Sequence, residues 1–247
     1  MLKEMWVVKV GGSLGGAAAI LDELATFPEP MVLVHGGGPQ IGAFLERLGY
    51  ETRFVRGERA TPKEQIEVVE KVLTRLGKVL AFELSRRGRP AIALTGRDAR
   101  LLLARPRAEL GRVGRIEEVN PRPLKDLLAA GYTPVVAPIG VDAAGALNVN
   151  ADRVAAAIAG ALGAPILFLT DVEAVRGANG ERLAELDPKA ARALIKAGVV
   201  HGGMVPKVES ALEALARGAP QAIIAKGQRG ALHSALKGEA GTRFALV

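Results

Sequence analysis

Short, unbroken apolar runs alternate along this chain with longer stretches in which apolar residues recur every three or four positions. The runs cover residues 5–10, 31–35, 91–94, 133–138, 165–170 and 221–225, and valine, isoleucine and leucine dominate them. Continuous apolarity over so few residues is the pattern of parallel strands covered on both faces. The intervening stretches 17–25, 39–48, 62–87, 121–130, 152–162, 188–197 and 206–217 carry helical periodicity. In the longest of them Ile66, Val69, Leu73, Leu76, Leu80 and Leu84 fall on one face. Thr61, Pro62 and Glu64 spell a capping box at its start. The alternation predicts an α/β fold, a three-layer α/β/α sandwich around a mostly parallel central sheet. Hairpin-like stretches at 50–56, 100–105, 112–119 and 141–149 interrupt it, with glycine turns at 142–145 and 177–180. There is no low-complexity linker and no tandem repeat. The expected organisation is one domain over 1–247, with an N-terminal lobe to about residue 164, a C-terminal lobe from 165, and one continuous sheet through both.

Composition narrows the chemistry. Hydrophobic residues make up 49% of the 247 residues but aromatics only 4%, so alanine, valine and leucine fill the core. The absence of cysteine excludes disulfides, thiolate metal sites and cysteine nucleophiles. Residues 1–5 lack a signal-peptide pattern, and no apolar run reaches the roughly 18 residues of a membrane span. A cytoplasmic protein with no membrane partner is expected. The net charge of +7 comes from scattered basic residues rather than a dense run. With so few aromatics to stack on bases, this argues for a solvated basic surface and against nucleic acid.

Candidate chemistry concentrates where apolar runs end. Lys9 precedes Gly11, Gly12 and Ser13; His35 precedes Gly36, Gly37, Gly38 and Pro39. Two strand–glycine–helix turns so close together suggest a bipartite phosphate site, because backbone N–H groups there approach an anion without a Cβ in the way. Neither a Walker A motif nor Gly-x-Gly-x-x-Gly is present, since Ile41 stands where the third glycine would be. Lys9 either snorkels at the sheet edge or holds a phosphate, and its place beside the glycine turn favours the phosphate. Arg56, Arg59 and Lys63 form a solvated basic face or include a carboxylate clamp, for which Arg59 is best placed. Asn148, Asn150 and Asp152 surround a helix start that needs only one capping residue. Thr170, Asp171 and Val172 end another strand, as a turn or at the ligand-binding edge of the sheet. Gly202 and Gly203 lead to Lys207 in a helix's first turn, where a cation opposes the helix dipole unless an anion is bound.

Taken in order and spacing, these motifs resemble the amino-acid kinase family over nearly the whole chain, and within it the members that act on N-acetylglutamate. The run Asn148-Val149-Asn150-Ala151-Asp152 is the most specific of them. The resemblance implies that MgATP phosphorylates the γ-carboxylate of N-acetyl-L-glutamate, a step of arginine biosynthesis, with ADP as the other product. It implies that Lys9 and Lys207 contact the transferring phosphoryl group and that Asp152 positions both. It assigns backbone donation to Gly12, Gly37 and Gly38, and the substrate's α-carboxylate to Arg59 and Asn148, with Asn150 alongside. Gly11, Thr170, Asp171, Val172, Glu173, Ala174, Val175 and Arg176, with Val199, Val200 and His201, match segments around the nucleotide. Mg²⁺ arrives on ATP, and no metal ligands of the protein's own are expected. The 62–87 helix would form a homodimer. Arginine-inhibited members carry an additional N-terminal helix before the first strand, so an arginine-insensitive dimer is expected. A carboxylate is already a competent nucleophile, so charge stabilisation and alignment suffice without a general base. Two alternatives stay open: a kinase of carrier-protein-linked α-aminoadipate or glutamate, and a non-catalytic regulator. The second predicts loss of Lys9, Asp152 or Lys207, and all three are present.

Overall fold

The computed structural model describes residues 4–12, 18–55 and 57–246; Met1, Leu2, Lys3, Ser13, Ala17 and Arg56, named or spanned above, lie outside the described residues. The first half runs β1 (Trp6–Val10), α1 (Ala18–Thr26), β2 (Met31–His35), α2 (Gly38–Arg47), β3 (Phe54–Val55), β4 (Glu58–Arg59), α3 (Ile66–Arg86), β5 (Ala91–Leu94), β6 (Leu102–Pro106), β7 (Gly114–Val119), α4 (Arg122–Ala129) and β8 (Thr133–Val136). The second runs β9 (Ile139–Asp142), β10 (Gly145–Asn148), α5 (Ala151–Leu162), β11 (Ile166–Thr170), β12 (Glu185–Leu186), α6 (Pro188–Lys196), α7 (Met204–Ala216), β13 (Gln221–Lys226), α8 (Ala231–Leu236) and β14 (Thr242–Ala245).

Eight strands form the main sheet in the order β12-β14-β13-β11-β1-β2-β8-β5. The six from β13 to β5 are parallel, and β14 runs antiparallel to β13. All six are the runs expected from the sequence. Strand alternation divides the core in two. Trp6, Val8 and Val10 of β1 join Met31 and Leu33 of β2 beneath α1, α3 and α8. Val7, Val32 and Val34 face the other way, onto α5 and α7. The three-layer expectation therefore holds. Alternation also places Lys9 on the α5 face and His35 on the α3 face.

Several expectations change. The hairpin-like stretches do not extend the main sheet; they build a separate sheet in the order β10-β9-β6-β7 and a two-stranded β3–β4 hairpin. One continuous sheet thus describes only the eight-stranded layer. α3 begins at Ile66 after Gln65, so Thr61 is no helix cap. Thr61 is instead fully buried, with its backbone bonded to Leu110 and Arg112 and its hydroxyl to Arg59 O at 3.1 Å. α7 starts at Met204, two residues before the expected position. The glycine turns behave as expected: Gly145 and Gly180 take positive φ, 118° and 82°. Among the described residues no helix is long and apolar enough to cross a membrane.

Candidate active site

β1 lies at the point where the strand order reverses, which is where open α/β sheets bind ligands. The two glycine turns leave the carboxyl ends of β1 and β2 and meet there. Gly36 N donates to Val10 O at 3.0 Å and Gly11 N to Leu169 O at 3.3 Å. A Cβ at Gly12 would stand 2.9 Å from Gly37 N and 3.1 Å from Gly38 N. Glycine is required by this contact between backbones. From α2, Gln40 Nε2 donates to Gly12 O at 3.1 Å and ties the first turn to the second.

Lys9 pairs with Asp152 of α5 at 2.7 Å. Both side chains are largely buried, so the pair lacks most of the water that would screen it. Asn150 caps α5: its Oδ1 accepts from the N–H groups of Asp152 (2.9 Å) and Arg153 (3.3 Å). The cap fixes where Asp152 sits, so Asn150 is a helix cap in a site position. A cavity of about 290 Å³ opens at Lys9, lined also by Gly12, Gly36, Gly37, Gly38, Arg59, Asn148 and Asn150. Gly11 is not in its lining.

Arg59 enters this cavity from β4. Its guanidinium donates to Gly38 O at 2.9 Å and Thr52 Oγ1 at 3.0 Å, and stacks on Phe54 with 4.8 Å from Cζ to the ring centre. Burial lowers its pKa, though an arginine stays charged. Asn148 Nδ2 donates to Thr61 Oγ1 at 2.9 Å. Thr61 is the residue whose part in the site was missed. Its hydroxyl joins Asn148 to Arg59 across two sheets, and in the sequence its place two residues after Arg59 is the signal for it.

The nucleotide candidates gather in a second cavity, of about 380 Å³. Val172, Glu173, Ala174, Arg176, Val199, Val200 and His201 line it, with Met204 of α7. Val175 does not reach it; its side chain is fully buried in the core and its N–H donates to Thr242 Oγ1 at 2.9 Å. Thr170 and Asp171 stand at the end of β11, beside rather than in the cavity lining. Lys207 Nζ lies 3.5 Å from Asp171 and 3.3 Å from Gly203 O. Its carboxylate partner is therefore Asp171, whereas Lys9 holds Asp152. The Asp171 carboxyl is pulled below its usual pKa, first by the Thr170 hydroxyl at 2.7 Å and then by Lys207.

His35 supports the second turn from below. Its ring is buried, and Nδ1–H donates to Gly36 O at 2.9 Å because a carbonyl can only accept. Among the described residues Nε2 has no partner, and it faces Gly77 of α3, where a Cβ would come within 3.0 Å. Burial drives its pKa from 6.5 down to about 4. Between those values the unfolded chain binds a proton that the native ring refuses, so stability rises with pH. Going from pH 6.5 to 4, His35 should remove about 3 kcal/mol of stability. Urea midpoints across this range, compared with those of His35→Gln, check it. Equal pH dependence in both proteins would contradict it.

Comparison with known proteins agrees with this geometry. The model of the "Amino acid kinase family" matches residues 4–226. Acetylglutamate kinase of Thermus thermophilus is 61% identical over 248 aligned residues, covering 99% of this chain and all of the relative. Acetylglutamate kinase of Deinococcus radiodurans is 46% identical, covering 96% and 99%. Carbamate kinase of Giardia superposes with a TM-score of 0.75 at 18% identity over both full chains, a likeness of fold alone. With a family match across nine-tenths of its length and these near-full-length relatives, the chain belongs to the amino acid kinase family.

Proposed function

We propose that this protein transfers the γ-phosphoryl group of MgATP to the γ-carboxylate of N-acetyl-L-glutamate, in arginine biosynthesis. The observation that carries the reading is Lys9 held on Asp152 where two glycine turns meet, in a cavity that also presents Arg59 and Asn148. Near-full-length identity of 61% to an acetylglutamate kinase supports the same acceptor. A substrate carboxylate oxygen attacks the γ-phosphorus, an O–P bond forms, the bond to the β-bridging oxygen breaks, and ADP leaves. Both partners are anions, so catalysis must offset their repulsion and align them.

In this reading Lys9 meets the phosphoryl oxygens from the substrate side and Lys207 from the nucleotide side. Gly12, Gly37 and Gly38 offer N–H groups, while Arg59 and Asn148 hold the α-carboxylate. The second cavity takes the nucleotide. Its neighbours Lys207 and Lys226 suit phosphates, and Mg²⁺ carried on ATP supplies further charge neutralisation. For Lys207 to reach the phosphoryl group it must leave Asp171. Lys207 is half-buried, but Asp171 is exposed, and a pair with one partner in water loses little by separating. The proposal extends to a cytoplasmic homodimer of two-lobed subunits. Exposed Val79 and Phe82 on α3, and β5 at the sheet edge, support a partner on that side.

Trapping the acyl phosphate with hydroxylamine tests the reading. N-acetylglutamate should give ATP-dependent hydroxamate, and N-acetyl-aminoadipate, one methylene longer, roughly 10–200-fold less efficiently. Absence of hydroxamate with N-acetylglutamate, or preference for the longer acid, would overturn it.

A further inference from the structure

A run of alternating charges crosses the molecule between the two cavities and plays no part in the chemistry above. Arg107 pairs with Glu58. The other oxygen of Glu58 lies 3.5 Å from Arg153 Nε, and Arg153 Nη1 lies 2.9 Å from Glu213 Oε2. Glu213 Oε1 is in turn 2.9 Å from Arg217. The three central members have telling positions. Glu58 precedes Arg59 on β4 and lines the first cavity. Arg153 follows Asp152, and its backbone is held by the Asn150 cap. Glu213 is on α7, the helix that carries Lys207 and whose Met204 lines the second cavity.

Isolated surface ion pairs stabilise little. This set differs because its carboxylates are mostly enclosed. The Glu58 side chain is 12% exposed and that of Glu213 18%, against 37% for Arg153 between them. A guanidinium fork can serve two carboxylates at fixed angles, which a lysine cannot. Arg153 therefore spans from the substrate-side hairpin to the nucleotide-side helix, anchored next to Asp152.

We propose that Arg153 is a positioning residue that couples the two ligand sites: docking of the β3–β4 hairpin and placement of α7 favour each other through it. The proposal rests on the functional reading above for the identity of the ligands, but not for the strap itself. By linkage, each ligand then raises the affinity for the other by the same factor.

Calorimetry measures that factor as the ratio of N-acetylglutamate Kd values without and with a saturating, non-hydrolysable MgATP analogue. The full-length protein should show a ratio of about 5 or more, and Arg153→Met a ratio near 1. Arg153→Lys, able to serve one glutamate at a time, should fall between. Hydrogen exchange of unliganded protein provides a ligand-independent arm. Glu213→Gln, a change on α7, should speed exchange in the remote β3 and β4 strands while leaving the β1 and β11 amides as protected as before. A coupling ratio unchanged in Arg153→Met overturns the proposal. Unchanged exchange in β3 and β4 of Glu213→Gln does so as well, whether or not Arg153→Met folds. Failure of the natural protein to bind N-acetylglutamate would instead count against the functional reading, and the exchange arm would then decide on the strap.

Discussion

Replacing Lys9 with methionine should lower kcat by about 10²–10³-fold while leaving the protein folded. Methionine keeps much of the aliphatic stem but removes the charge from the carboxyl end of β1, where alternation aims the side chain at α5. The lost interaction is strongest when charge is spread over the transferring phosphoryl group, so kcat should fall more than substrate affinity. A second consequence distinguishes Lys9 from an ordinary surface lysine. Its removal leaves the Asp152 carboxylate largely buried without its 2.7 Å partner. A buried acceptor so stranded costs about 1–3 kcal/mol, which chemical denaturation would register. Initial rates of hydroxamate formation give the kinetic arm. A kcat within threefold of the natural protein would remove Lys9 from the phosphoryl clamp.

That Lys9 stands out in the sequence alone reflects how parallel sheets are built. Strands covered on both faces are apolar throughout, so a lysine inside one stands out, and the six central strands were legible for the same reason. Where burial comes from a few long-range contacts, local pattern misleads. Thr61-Pro62-Lys63-Glu64 has every local mark of a helix start. Yet the Thr61 N–H is committed to Leu110 O and its carbonyl to Arg112 N, contacts from some fifty residues away. The helix can begin only once the chain is clear of them, at Ile66. β12 has two residues and β14 four, too short for any period to emerge; pairing with β13 sets the direction of β14, and pairing with β14 sets that of β12. Val175 lies among residues that line the second cavity, but its own side chain faces the core. The basic residues looked scattered because sequence distance hides their partners: Arg153 and Glu213 are sixty positions apart but 2.9 Å from each other. Half of the candidate site was thus visible as motifs at strand ends, and the links between those motifs were not.

Gly12→Ala should reduce turnover by about 100-fold with only a small loss of stability. Gly12 does not need an unusual φ, since it is absent from the glycines with positive φ. What it needs is room. The added methyl would lie 2.9 Å from Gly37 N, 3.1 Å from Gly37 Cα and 3.1 Å from Gly38 N, all backbone atoms. No rotamer change relieves such contacts, so the two turns must move apart by several tenths of an ångström. Gln40, bonded to Gly12 O, and His35, bonded to Gly36 O, resist that motion from either side. The N–H groups that the proposed function assigns to the phosphoryl oxygens would then be displaced, and misplacement approaching 1 Å is worth about 10²-fold in rate. Stability changes little because the clash is at the rim of the sheet, outside the packed layers. The neighbouring Gly11→Ala provides the contrast, because among the described residues its methyl would meet only Leu169 O, at 3.9 Å. It should lose far less activity than Gly12→Ala, though both add one carbon to the same turn. Measuring kcat and the melting temperature for the two variants side by side separates close approach from mere flexibility. Equal losses would mean that glycine serves this turn through backbone freedom, and that the contact between the two loops is not what sets the rate.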